Sequence, residues 1–198
     1  GKMVKQLLLR LVPSLAPNSH SLLPHSSISA KPRPIFSSTV KMTAEHYTFG
    51  PYKIDQSEVF YSTNLSYAMV NLRPLLPGHV LICPKREVKR FVDLTADETS
   101  DLWLTAQKVG RQLENYRKAS SLTFAIQDGP QAGQTVPHVH IHVVPRIGGD
   151  FEKNDEIYDA MDQKEKELKQ KLDLDKERKD RNFEEMAREA DEYRKLFL

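Results

Sequence analysis

Between residues 138 and 144 the chain reads His138-Val139-His140-Ile141-His142-Val143-Val144, a strict alternation of imidazole and branched apolar side chains. A period of two is the pattern of a β-strand, in which residues two apart share a face. Val139, Ile141 and Val143 are therefore expected to enter a core. The three imidazoles are expected to stand in a row on the opposite face, roughly 7 Å apart. Just upstream, Gln127-Asp-Gly-Pro-Gln-Ala-Gly-Gln-Thr-Val136 is rich in glycine, side-chain amides and backbone N–H groups. Donors of that kind suit an anion, and the pairing suggests an anionic substrate worked on by histidine.

The rest of the folded chain reads as support for that strand. Short apolar runs bounded by Pro, Gly and Asn follow one another: Phe49–Ile54, Val59–Ser62, Ser66–Asn71 and His79–Cys83. Their close spacing favours antiparallel pairing over parallel crossovers. Thr95-Ala-Asp-Glu98 reads as a capping box. It opens a helix whose stripe Leu102, Ala106, Val109, Leu113 and Tyr116 recurs at helical spacing, with Arg111, Glu114 and Lys118 outside. Gly110 on that helix marks close packing, and Trp103 reads as core or subunit contact. Ser121–Ile126 is a further strand feeding the glycine-rich loop. Strands, one long helix, strands and a final helix make an α+β plan with an antiparallel sheet, helix on one side and histidines on the other.

The two flanks read differently. Residues 1–44 hold six Lys/Arg, eight Ser and five Pro and no Asp or Glu. That composition matches a mitochondrial or plastid transit peptide, with a disordered extension as the alternative; Met42 offers an internal start giving an untargeted, cytoplasmic product. Without this segment the chain carries 23 basic against 27 acidic residues, so the overall charge of +2 does not point to nucleic acid. No apolar run is long enough to span a bilayer. The single cysteine, Cys83, excludes an internal disulfide and reads as a small buried hydrophobe. Beyond Phe151 the chain is charge-dense. Ile157, Met161, Leu168 and Leu172 keep a loose helical period, and Phe183, Met186, Ala190, Tyr193 and Phe197 keep a better one.

Three readings of the histidines are open. A metal is one, since imidazole suits zinc, copper or iron. However, three positions on one strand spread over roughly 13–14 Å, too far for one ion bonding each at about 2 Å. Nucleophilic attack on phosphorus is the second. It needs a deprotonated imidazole oriented through its other nitrogen, donors for the non-bridging oxygens and help for the leaving oxygen. A structural histidine-rich strand is the third.

His138-X-His140-X-His142 with apolar residues between and after it resembles the histidine triad superfamily. Asn71, Pro77-Gly-His79, the loop Gln127–Val136 and Asn154-Asp-Glu-Ile-Tyr158 further resemble its fragile histidine triad branch, the dinucleoside-polyphosphate hydrolases, in a plant-type form with an N-terminal extension. The likeness covers roughly residues 47–159 and the helix Phe183–Phe197. It implies an antiparallel sheet of about five strands with one long helix packed on it and a C-terminal helix, in a homodimer. The implied organisation is an extension over 1–44, the domain over 45–159, a charged mobile segment over 160–182 and the docking helix over 183–198. The implied chemistry is attack of His140 on the α-phosphorus of diadenosine triphosphate, releasing ADP, then hydrolysis of the adenylyl-histidine to AMP. His142 assists the leaving side, and His79 and His138 orient the others. Gly133, Gln134, Thr135 and Val136 would hold the α-phosphate, Gln127 the region near ribose or phosphates, and Asn71 the ribose. Phe49, Tyr52, Met69 and Leu81 would wall the adenine, and Tyr158 would cap the phosphate side. No cofactor is implied, beyond Mg²⁺ or Mn²⁺ as substrate counterion. The leaving group stays open: adenylyl sulfate or a phosphoramidate fits the same intermediate, and a dinucleotide-sensing protein with slow turnover is an alternative of another class.

Overall fold

The computed structural model describes residues 46–171 and 180–198, without the side chains of residues 164–171. The expected targeting segment and the side chains of Leu168 and Leu172 lie outside the described residues. The first elements are Tyr47–Phe49 (β1) and Tyr52–Ile54 (β2), which pair antiparallel as a hairpin. The sequence suggested one run over Phe49–Ile54. Instead Gly50, at φ 55°, turns the chain back, a conformation that costs glycine little. A Cβ there would lie 2.8 Å from Val136 Cγ1, so the hairpin also sits hard against the end of the glycine-rich loop.

Val59–Ser62 (β3), Ser66–Val70 (β4), Val80–Pro84 (β5), Ser121–Ala125 (β6) and Ile141–Arg146 (β7) form one antiparallel sheet in the order β3-β4-β5-β7-β6. β4 and β5 are buried on both faces, which is why they read as continuous apolar runs rather than alternating ones. One face, with Ala68, Val70, Val80, Ile82, Ile141 and Val143, packs against the long helix Ala96–Arg117 (α1). The other, with Tyr67, Met69, Leu81 and Cys83, is covered by the β1–β2 hairpin.

The expected capping box closes α1: Thr95 Oγ1 accepts from Glu98 N–H, and Glu98 accepts from Thr95 N–H. Leu102, Ala106, Val109 and Leu113 are fully buried. Burial of a leucine or valine side chain is worth about 1.5–3 kcal/mol, so this stripe anchors the helix. Tyr116 departs from the stripe: it is exposed, meets Tyr193 edge-on and bonds Glu192, so the last turn of α1 faces another helix rather than the sheet. Gly110 has the expected close neighbours, with Leu122 Cδ1 2.9 Å from where a Cβ would stand. Trp103 is partly exposed over Phe124 and is not core. Cys83 is buried and free, and burial pushes its thiol up.

Glu156–Lys171 forms a second helix (α2), so the boundary expected at residue 159 falls inside a continuous helix. Phe183–Arg194 (α3) opens with a capping box from Asn182 and Glu185 and buries Met186, Ala190 and Tyr193 in the core cluster of α1. Phe183, expected on that buried stripe, is about half exposed instead, because it is the first residue after the cap. Arg194 donates to the carbonyls of Gln56, Ser57 and Val59, covering the entry to the edge strand β3. Among the described residues no helix is long and apolar enough to cross a membrane.

Candidate active site

The three histidines do not share one ladder. β7 begins at Ile141, so His142 alone of the three lies within a strand, while His138 and His140 sit in the approach. The physical reason is proline. Val80 pairs with Val143 and Ile82 with Ile141; continuing that register sets Pro84, which has no N–H, opposite Val139. Val139 N–H bonds Val88 O and His138 N–H bonds Val136 O, so loops satisfy this stretch. The alternation itself holds: Val139, Ile141 and Val143 are core, and the imidazoles face away from it.

Fixed hydrogen-bond partners set the orientation of each ring. Gly50 N–H donates to His138 Nδ1 at 3.1 Å, so the proton of His138 is on Nε2, which donates to Pro84 O at 2.9 Å. His138 is thereby a brace between the hairpin and β5. His140 Nδ1 is 2.7 Å from His138 O. A carbonyl only accepts, so Nδ1 bears the proton and Nε2 presents a lone pair. Phe49 meets the His140 ring edge-on at 5.0 Å, and the His142 ring lies 4.8 Å away, also edge-on.

The third ring is set by a fourth histidine. Leu75 N–H donates to His79 Nδ1 at 3.1 Å, which puts the His79 proton on Nε2, and that nitrogen is 3.0 Å from His142 Nδ1. His142 therefore accepts at Nδ1 and carries its own proton on Nε2. Asn71 Nδ2 also lies 3.3 Å from His79 Nε2, a contact between two N–H groups once that tautomer is fixed. All four rings are buried. Burial and the neighbouring His140 pull His79 down to about 3. Burial, then His140 and His79, hold His142 well below 6.5. His138 is lowered too, chiefly by burial. His79, His138 and His142 are thus held toward neutral imidazole, the form that relays a hydrogen bond rather than the form that binds an anion by charge.

The glycine-rich loop is held by its own amides. Gln134 accepts from Gly129 N–H and donates to Lys89 O and His138 O, tying the loop to the segment after β5. Asp128 bonds Arg90 and Phe91 N–H. Gly133 takes φ 94°, and a Cβ there would lie 2.5 Å from Gln127 Nε2, so the loop closes directly over Gln127. Gln127 Nε2 in turn donates to Asp162 on α2 at 2.6 Å. Thr135 is half-buried beside the buried Val136, and Tyr158 is exposed on α2.

A cavity of about 450 Å³ opens beside the triad. Of the residues singled out from sequence, Phe49, Tyr52, Met69, Asn71, His79, Leu81, Val136 and His142 line it; His138, His140, Gln127, Gly133, Gln134, Thr135 and Tyr158 lie outside its lining. The sequence reading missed Glu58, Arg73, Met161, Asp180 and Met186, which also line it. Asp180 forms a two-point pair with Arg73, and Arg181 donates to Asn71 O, so the stretch before α3 forms one wall. The only signal for Met161 and Met186 was a helical period in a charge-dense stretch, which says nothing about what the helix covers, and Glu58, Arg73 and Asp180 carried none. Among the described residues no three His, Cys, Asp or Glu side chains converge as metal ligands.

Comparison with known proteins gives concordant matches. The HIT domain model matches residues 53–149. The chain is 77% identical over 155 residues to the bifunctional bis(5'-adenosyl)-triphosphatase/adenylylsulfatase FHIT of Arabidopsis thaliana, covering 78% of this chain and 86% of that protein. It is 52% identical over 149 residues to the bis(5'-adenosyl)-triphosphatase of Dictyostelium discoideum, covering 75% and 91%. Among solved structures, the Caenorhabditis elegans NitFhit protein aligns with TM-score 0.61 and 41% identity, over 76% of this chain and 30% of that one. The Plasmodium falciparum diadenosine triphosphate hydrolase, solved with Cyclomarin A, aligns with TM-score 0.53 and 37% identity, over 67% and 87%.

Proposed function

The chain belongs to the HIT-domain family, in its fragile histidine triad branch, and on that premise we propose that it hydrolyses diadenosine triphosphate to AMP and ADP through a covalent adenylyl-histidine. One observation carries the reading: the 2.7 Å bond from His140 Nδ1–H to His138 O, which orients the ring through Nδ1 and makes Nε2 the attacking nitrogen. His140 Nε2 bonds to the α-phosphorus as the bond to the bridging oxygen breaks. His142 Nε2–H donates to that departing oxygen, and ADP leaves. Water then attacks the same phosphorus and releases a proton to solvent, the N–P bond breaks, AMP departs and His140 is restored. The backbone N–H groups of Thr135 and Val136 hold the non-bridging oxygens, those of Gly133 and Gln134 donating instead to Pro130 O and Gly129 O within the loop; Gln127 bonds the ribose-phosphate region after exchanging its bond to Asp162, and Asn71 holds the ribose. The base lies among Phe49, Tyr52, Met69 and Leu81, and Tyr158 caps the phosphate side.

The test is a rapid base quench with α-labelled substrate, followed by exposure of the trapped protein to acid. Label on the protein that is base-stable and acid-labile, and is lost in His140→Asn while dinucleotide binding persists, is the expected result. No trapped label, together with inactivation by chelator, would overturn it. Adenylyl sulfate is a second substrate of the same intermediate, favoured by the naming of the Arabidopsis relative as an adenylylsulfatase; sulfate then leaves in place of ADP. A divalent cation accompanies the polyphosphate as its counterion. The chain forms a homodimer through the partly exposed Trp103, Leu104 and Phe124 along α1 and the edge strand β6, which sedimentation would test. Residues 1–41 direct the product to a plastid or mitochondrion, and translation from Met42 gives a cytoplasmic form; fusion of this segment to a fluorescent protein tests that.

A further inference from the structure

The cavity runs across the sheet along a single row of paired residues. His142 on β7 is opposite Leu81 on β5, Leu81 is opposite Met69 on β4, and Met69 is opposite Val59 on β3. With strands about 4.8 Å apart, three steps carry the row roughly 14 Å from the triad to β3. A nucleoside 5'-phosphate placed with its phosphorus at His140 and laid along this row would pass its sugar by Asn71 and bring the far edge of its base toward β3. The walls over most of that path are apolar, from Phe49, Met69, Leu81 and Val136, and give a flat ring affinity but no identity.

Glu58, adjoining Val59 at the start of β3, stands at that far end and lines the same cavity. It is half-buried, and no hydrogen-bond donor or cation meets its carboxylate among the described residues. Burial, and next the charge of Asp55, hold its carboxyl above the usual range. The other carboxylate on the cavity, Asp180, is already engaged by Arg73. A partly desolvated carboxylate without a donor is costly, so its place in an apolar slot points to a ligand that supplies the N–H.

We propose that Glu58 is a specificity-determining residue whose carboxylate accepts a hydrogen bond from the exocyclic amine of the nucleobase, so that the pocket selects an amino-purine over a keto-purine. The proposal rests on the adenylyl-transfer reading above and names what reads the base. A 6-keto purine would present a carbonyl oxygen to the carboxylate, two acceptors facing each other. Discrimination by a hydrogen bond to a charged group is worth about tenfold or more.

The experiment compares kcat/KM for diadenosine triphosphate and diinosine triphosphate in the wild type, Glu58→Leu and the near-isosteric Glu58→Gln, with adenylyl- or inosinyl-enzyme trapping for each. The wild type is expected to prefer the adenine substrate about tenfold or more. In Glu58→Leu the preference should shrink to about twofold, mainly through a higher KM for the adenine substrate. In Glu58→Gln the amide can donate to the keto oxygen, so the inosine substrate should improve. A preference unchanged in both variants, with nucleotidyl-enzyme still trapped, overturns the role of Glu58 and leaves the reaction standing. Absence of nucleotidyl-enzyme in the wild type overturns the reaction and this role with it.

Discussion

Replacing His79 by leucine tests whether the second-row histidine sets the state of the one that faces the leaving group. Leucine fills much the same volume without either nitrogen. Two bonds vanish: Leu75 N–H to His79 Nδ1 at 3.1 Å and His79 Nε2–H to His142 Nδ1 at 3.0 Å. A buried group left without its partner costs about 1–3 kcal/mol. Leu75 is only partly buried, so its amide can recover part of that from water, and the sum falls in the range of about 2–4 kcal/mol. Set against a typical domain stability of about 5–15 kcal/mol, the variant still folds. Its chemistry should suffer more specifically. Without a donor at Nδ1, the His142 proton is no longer confined to Nε2, and nothing replaces the proton that His142 shares with the leaving oxygen. One hydrogen bond of that kind, about 1.4–2.7 kcal/mol, corresponds to a ten- to hundredfold fall in kcat. KM should change little, since His79 holds His142 and not the base. His79→Gln retains both an acceptor for Leu75 N–H and a donor for His142, and should lose less than about fivefold. Steady-state hydrolysis of diadenosine triphosphate, with the melting temperature measured in parallel, separates these effects. Wild-type kcat in His79→Leu, or equal damage in the leucine and glutamine variants, would refute the relay.

The buried histidines also predict a pH dependence. The folded pKa of His79, about 3, lies below its ordinary 6.5, so the stability it contributes is complete above pH 6.5 and is lost as pH falls from there toward 3. The loss is at most about 1.4 kcal/mol per pH unit for each such histidine. Denaturant midpoints at pH 7.5 and 5.5 should show the wild type weakening and His79→Leu weakening less; equal slopes would count against the assignment. Tyr193 is fully buried, packs edge-on against Phe60 and bonds both Arg117 and Glu189. Tyr193→Ala should cost about 3–5 kcal/mol and loosen α3, which calorimetry would register; a loss under about 1 kcal/mol would mean that α3 is not docked. Gly133→Ala forces a positive φ and drives a Cβ onto Gln127. Backbone strain of about 1–3 kcal/mol at the anion loop should raise KM roughly tenfold with a smaller effect on melting, and an unchanged KM would dissociate that loop from substrate binding.

Periodicity alone determined the main secondary structure. Alternation at 138–144 sets Val139, Ile141 and Val143 inward and the histidines outward, whatever the backbone does between them. The stripe on α1 and its capping box are local signals, because spacing and first-turn chemistry act within one or two turns. The resemblance carried by the motif likewise singled out His140 as the expected nucleophile. The ladder was not legible: that His138 and His140 fall outside a strand depends on Pro84, which comes opposite only after β5 and β7 have paired. Nor were the tautomers, since two of the bonds that set them, Gly50 to His138 and His79 to His142, join residues far apart in sequence. The folding back of Phe49–Ile54 was hidden because the same residues suit one strand or two. Least visible were the walls of the cavity from Glu58, Met161, Asp180 and Met186. A charged or apolar side chain on an amphipathic stretch declares which way it faces, but not what lies opposite. Sequence supplied the chemistry and the period; tertiary structure supplied the partners, because a hydrogen bond's direction and a pocket's end are properties of pairs.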